Sequence, residues 1–289
     1  MDWDRDLSTW PLHDRSRRVA QSPHQWHVQE MGEGPLALLL HGAGASTHSW
    51  RDLIPALAQS HRVIALDLPG QGFSRAGARR RLGLPGMTED IAALCAAQGW
   101  HPALILGHSA GGAIALNLST RLTTPGNDAP DIACINAALG RFEGVAGWLF
   151  PVLARLLALN PLTAALFTLG ADKTARARRL IEGTGSRISP EGLALYARLI
   201  ADRAHVDATL QMMAQWDVDP LLKRLPRIPN RCLLLTGAHD LAVPPETSVR
   251  AATRLPRARA LSLGGLGHLT HEEDPARVLA TLLDQGNWP

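Results

Sequence analysis

The chain has 289 residues, 46% of them hydrophobic and 19% charged, which excludes a disordered or low-complexity protein. Its formal net charge is +3, too small and too dispersed to argue for nucleic acid. Three cysteines, Cys95, Cys134 and Cys232, form no C-x-x-C pair and sit in apolar contexts, so they read as buried fillers of a reduced protein.

Taken in chain order, the first residues carry no apolar stretch or small-residue cleavage site of a secretory leader, and the expected location is cytoplasmic. Short apolar runs then follow: Leu36 to Leu40 entering His-Gly, Arg62 to Leu66 ending at Asp67, Ala103 to Leu106 ending at Gly107, and Ile132 to Ile135. Runs of this length bounded by Gly and Pro are the pattern of buried parallel strands. Between them lie helical patterns at Trp50 to Ala58, Thr88 to Ala97 and Ala110 to Leu118. Thr88, followed by two acids and an apolar run, reads as an N-cap. Strand–helix alternation predicts an α/β protein with a mostly parallel, doubly wound sheet.

From Arg141 to Leu225 the pattern is helical. Alternation returns with Cys232 to Leu235, Ala260 to Leu263 and a last helix from Pro275 to Leu283. The expected division is a core of residues 1–139 and 226–289 with a helical cap, residues 140–225, over the carboxyl ends of the strands. Within the cap, Val145 to Leu169 carries a single charge, Arg155. Its length and apolarity suit a membrane span, but Asn160-Pro161 interrupts it. A lone span would also put Ser109 on one side of a bilayer and Asp240 and His268 on the other. The remaining readings are a buried or pocket-lining helix pair broken near Asn160-Pro161, and a peripheral contact with a membrane surface. Trp148, Phe150 and Trp216 are the expected lining of an apolar substrate pocket above Ser109.

The chemistry centres on Gly107-His108-Ser109-Ala110-Gly111-Gly112. A serine between a strand and a helix sits on a tight turn with its hydroxyl exposed above the sheet, and the flanking positions tolerate only glycine. A serine hydroxyl needs a base. Asp240, just past a late strand, and His268, in the glycine-rich loop after the last strand, complete the order serine, acid, histidine. Ser109 is the expected nucleophile, His268 the proton carrier and Asp240 its orienting partner, with the hydroxyl expected within about 3.5 Å of His268. The oxyanion donors are expected to be the N–H groups of Ala110 and Ala43, with Gly44 as the substitute. His41 reads as structural. Arg79-Arg80-Arg81 reads as a solvated loop or as a docking point for carboxylates or anionic lipid. Histidine spacing supports no metal site, and no cofactor is implied.

Five stretches together resemble the α/β-hydrolase superfamily across nearly the whole chain outside the cap. They are Leu38 to Gly44, Asp67 to Ser74, the serine motif, Gly237 to Asp240, and Gly267 to Pro275. Serine at the elbow argues against the haloalkane dehalogenases and epoxide hydrolases, which carry Asp there. A narrower resemblance, on Trp10 to Arg17, Trp26 to Gln29 and Gly42 to Asp52, is to the magnesium-chelatase accessory proteins of bacteriochlorophyll biosynthesis. It implies a role near magnesium insertion into protoporphyrin in a photosynthetic bacterium, a tetrapyrrole as the bulky apolar small molecule, and chelatase subunits as partners. It implies no reaction. Two readings therefore stand: an esterase acting through an acyl-enzyme, and a tetrapyrrole-binding or accessory protein that keeps the triad unused.

Overall fold

The structure, a computed structural model, describes residues 1–140 and 172–289. The expected helix pair between Val145 and Leu169, with Trp148 and Phe150, lies outside the described residues.

Eight strands form one sheet in the order β1-β2-β4-β3-β5-β6-β7-β8. β1 (Ser16–Gln21) and β2 (His24–Met31) form an antiparallel hairpin, and β2 pairs antiparallel with β4 (Arg62–Leu66). From β4 across β3 (Leu36–Leu40), β5 (Leu104–His108), β6 (Asp131–Ile135), β7 (Cys232–Gly237) and β8 (Ala258–Leu263) every pairing is parallel. The apolar runs of β3, β4, β5, β6 and β7 are thus the central strands, buried on both faces, while the run Ala260 to Leu263 falls in β8 at the half-exposed edge. Alternate residues divide between two core layers: Leu38, Leu40, Ile64 and Ile105 face one, and Leu39, Val63, Ala65 and Leu106 face the other. This is the period-two geometry of a strand. The order also creates a switch point, because β3 lies between β4 and β5. Ligands of open α/β sheets bind at the carboxyl ends of the strands there.

Two features depart from expectation. The antiparallel hairpin at the sheet edge carries polar, arginine-rich residues and had no apolar signature. The first long helix begins at Leu84, not at Thr88. Thr88 is one turn inside it, its hydroxyl donating to Leu84 O and accepting from Asn117. Pro85 near the helix start supplies the preset φ that begins a helix, so Thr88 is not needed as a cap. The three cysteines are buried, and burial pushes the Cys95 and Cys232 thiols up to about 12.

Between β6 and β7 the described residues are helical: Lys173–Glu182, Pro190–Ala201, Arg203–Ala214 and Asp219–Arg224. The first three are started by Asp172, Ser189 and Asp202, each accepting a backbone N–H of the first turn. Their apolar faces join the N-terminal segment in a third cluster around Trp10, Phe73, Ile181 and Leu199. Arg198 donates to Asp6 O and stacks 4.9 Å from the Trp10 ring, tying that segment to the inserted helices. No helix among the described residues is long and apolar enough to cross a membrane.

Candidate active site

Ser109 stands between β5 and the helix Ala110–Leu118, with φ 52° and ψ −116°. A non-glycine residue there carries backbone strain of order 1–3 kcal/mol, held by its surroundings. Ser109 N–H donates to Ile135 O at 2.9 Å, which pins the elbow to β6. A Cβ on Gly107 would collide with the Gly111 carbonyl, and one on Gly111 with the carbonyls of Leu40 and His41. Only glycine lets the turn close this tightly. Ser109 itself is half-buried.

Asp240 follows β7 and His268 follows β8. His268 Nδ1 donates to Asp240 Oδ2 at 2.8 Å, and both residues are buried, at 8% and 5% exposure. The acid has three further donors: Asn136 Nδ2 to the same oxygen at 2.5 Å, and the N–H groups of Ala242 and Val243 to Oδ1 at 2.8 Å each. Four donors thus converge on this one carboxylate. Asn136, at φ 49° immediately after β6, also accepts from the Thr270 hydroxyl at 2.8 Å. It was absent from the sequence reading. Its signal is a lone polar residue closing an apolar strand, at the same strand-end level as the other site residues. Among the described residues the Ser109 hydroxyl makes no hydrogen bond.

The loop after β3 lies against the elbow: a Cβ on Gly42 would stand 3.1 Å from Ser109 Cβ. Gly44 N–H donates to Gln71 Oε1 at 2.8 Å and Ala45 N–H to Gly42 O, so neither is free to hold an anion. Among the described residues the N–H groups of Ala43 and Ala110 have no acceptor. His41 ties this loop to its neighbour, donating through Nδ1 to Gly42 O and accepting Leu68 N–H at Nε2. Asp67 anchors the neighbouring loop. Burial works to raise its pKa, but His27 beside it, His41 and the N–H of Phe73 prevail and hold it at about 2; Thr47 N–H donates to it as well.

Arg79 pairs with Asp207 at 2.9 Å, and Arg81 with Glu89 and Asp90 at 2.9 and 2.8 Å. Two of the three cations in that run are thus answered by the chain's own acids. Trp216 is half-buried against the larger core layer. Among the described residues no group of three or more His, Cys, Asp or Glu side chains is disposed to hold a metal ion.

Buried neutral histidines surround the site. Burial lowers the pKa of His205 to about 4 and of His271 to about 3, and it lowers His41, His48 and His108 as well. His205 accepts Gly72 N–H at Nδ1 and donates from Nε2 to Gly44 O, so one inserted helix grips both loops beside the elbow. The unfolded chain protonates these histidines near pH 6.5, and the folded one does so only at lower pH. Their contribution to stability is complete above pH 6.5 and is lost as pH falls toward 4 and 3. His205 alone accounts for about 3 kcal/mol over that window. Urea midpoints should therefore fall steeply between pH 7 and pH 5. A midpoint that stays level across this range would mean that these imidazoles are solvated and charged.

The α/β hydrolase fold family model matches residues 35–275. The magnesium-chelatase 30 kDa subunit of Rhodobacter capsulatus is 46% identical over 279 residues, covering 96% of each chain. The pimeloyl-[acyl-carrier protein] methyl ester esterase of Xanthomonas oryzae pv. oryzae is 29% identical, covering 88% of this chain and 96% of its own. Among solved structures, an α/β-hydrolase fold protein from Burkholderia ambifaria superposes with a TM-score of 0.77 at 24% identity, covering 94% of this chain and 98% of that one. The switch-point site, the elbow and the family match agree: the chain belongs to the α/β-hydrolase fold family.

Proposed function

We propose that the chain is a serine hydrolase that cleaves an ester or related acyl substrate through Ser109, His268 and Asp240. The observation that carries this reading is the buried 2.8 Å hydrogen bond between His268 Nδ1 and Asp240, at strand ends beside a serine on a positive-φ elbow. In this mechanism the Ser109 hydroxyl attacks the acyl carbon and His268 Nε2 takes its proton. The same proton then goes to the leaving oxygen, and water repeats the cycle to release the acid. Asp240 keeps the imidazole in the Nδ1–H form and stabilises its cation. The free N–H groups of Ala43 and Ala110 receive the developing oxyanion. The core of residues 1–139 and 226–289 carries this machinery, and the cap of residues 140–225 covers it, with Trp148, Phe150 and Trp216 as the apolar contacts of a bulky substrate.

The likeness to a protein named for magnesium chelatase supports a substrate near magnesium insertion into protoporphyrin, in bacteriochlorophyll biosynthesis. It also supports chelatase subunits as partners; the apolar stretch from Val145 to Leu169 adds a peripheral membrane contact, and a cytoplasmic location, to the proposal. The same likeness supports a second reading, because inserting a metal into a porphyrin needs no acyl chemistry: an accessory protein that binds the tetrapyrrole and leaves the triad idle. Two measurements separate them. A fluorophosphonate probe should label the wild-type protein at Ser109 alone, as mapped by peptide mass. Protoporphyrin and its magnesium monomethyl ester should bind saturably, with quenching of tryptophan emission that weakens in a Trp148→Phe, Trp216→Phe double variant. Binding without labelling selects the accessory reading. Labelling without binding keeps the hydrolase and discards the tetrapyrrole.

A further inference from the structure

The histidine loop has little stiffness of its own. It runs Gly264-Gly265-Leu266-Gly267 before His268, and glycine imposes almost no restriction on the backbone. What aims the imidazole must come from outside the loop. The peptide group that joins His268 to Leu269 is held at both ends. Its carbonyl, His268 O, accepts from His108 Nε2 at 2.9 Å, and the His108 ring packs 4.8 Å from the His268 ring. Its N–H, on Leu269, donates to Ser186 Oγ at 2.7 Å. His108 belongs to the core. Ser186 belongs to the insertion, in the turn between the helices Lys173–Glu182 and Pro190–Ala201. Ser186 is fully buried, so no water replaces its oxygen.

The neighbours of Ser186 reinforce this grip. Thr184 O accepts Leu241 N–H at 3.1 Å, next to Asp240. The Glu273 carboxylate accepts Gly267 N–H at 2.8 Å on one oxygen and Arg187 N–H at 3.3 Å on the other, binding the residue before His268 to the residue after Ser186. One short turn of the insertion therefore touches the backbone on both sides of His268 and just past its acid.

We infer that Ser186 is a positioning residue: from the inserted helices it holds the His268–Leu269 peptide against His108, and so makes the aim of the His268 imidazole depend on the seating of those helices. This rests on the hydrolase reading. A serine that only filled space would be replaceable at no cost to chemistry. A serine that sets the direction of Nε2 is not, because misplacing a catalytic group by about 1 Å costs on the order of a hundredfold.

The test uses the whole protein, p-nitrophenyl butyrate as substrate and the fluorophosphonate probe, at a temperature well below each variant's unfolding midpoint. Ser186→Ala should lower kcat and the labelling rate at Ser109 by about ten- to a hundredfold, with KM unchanged within about twofold. Ser186→Cys is slightly larger and offers a weaker acceptor, and should fall between alanine and wild type. Should the alanine variant not fold, the cysteine variant carries the test by the same kcat and labelling criteria. Variants that label and turn over at the wild-type rate, with only a lowered midpoint, overturn the inference and leave the hydrolase reading intact. A wild-type protein inert to the probe overturns that reading, and this inference with it.

Discussion

Ser109→Ala should lower ester turnover by about three to six orders of magnitude, and His268→Ala by a comparable amount, as in other triad enzymes. The magnitude follows from the division of labour at the site. Without the hydroxyl there is no covalent path. Without the imidazole the hydroxyl keeps its proton, since His41, His48, His108 and His271 are fully buried among other partners and depressed in basicity. The two losses should not add, because both residues act in one step; the double variant should be about as slow as either single one. What remains should reflect the proposed oxyanion donors, the N–H groups of Ala43 and Ala110. The measurement is kcat/KM on p-nitrophenyl butyrate, with circular dichroism to show that each variant is folded. A Ser109→Ala protein that kept a tenth of the wild-type rate would place the nucleophile elsewhere.

The largest expected effect on stability is at Glu272. This carboxylate is buried and receives the Ser49 hydroxyl at 2.5 Å, Arg51 at 2.7 Å and the Tyr196 hydroxyl at 2.7 Å. Burial works to raise its pKa and prevails, while Arg51 and the hydroxyl donors oppose it. The cluster joins three parts of the chain: the turn Thr47–Trp50, the helix Pro190–Ala201, and the short helix Thr270–Glu273 that follows His268. Glu272→Ala leaves a half-paired guanidinium and two buried hydroxyls, a loss of roughly 3–5 kcal/mol for breaking a buried ion pair from one side. Glu272→Gln still offers an acceptor and should lose less. Urea denaturation at pH 7 measures both. A loss below about 1 kcal/mol for the alanine variant would mean that water reaches the cluster.

Much of this molecule is legible one residue at a time. The central strands were visible because buried parallel strands are continuous apolar runs. Their order in the chain, with Ser109, Asp240 and His268 at the ends of three of them, is a linear property. So are the glycines of the elbow, since no other residue fits between the Leu40, His41 and Gly111 carbonyls. The edge hairpin β1–β2 was not visible. Its polar residues, Arg17, Arg18, Gln25 and Gln29 among them, form strands because a sheet edge pairs them, not because of an apolar period.

The fold class and the identity of the groups offered for chemistry follow from local pattern and chain order alone. How those groups are supported depends instead on the packing of distant segments. Asn136 comes to Asp240 across 104 positions of chain, His108 to the His268 carbonyl across 160, Ser186 to Leu269 across 83, and His205 to Gly44 across 161. Gly44 lost its place as a donor to Gln71, and Arg79 and Arg81 spent their charge on neighbouring acids. No spacing rule foretells such partners. A hydrogen bond needs its two atoms within about 3 Å of each other, and that distance is set by how the layers pack and not by the number of residues between them.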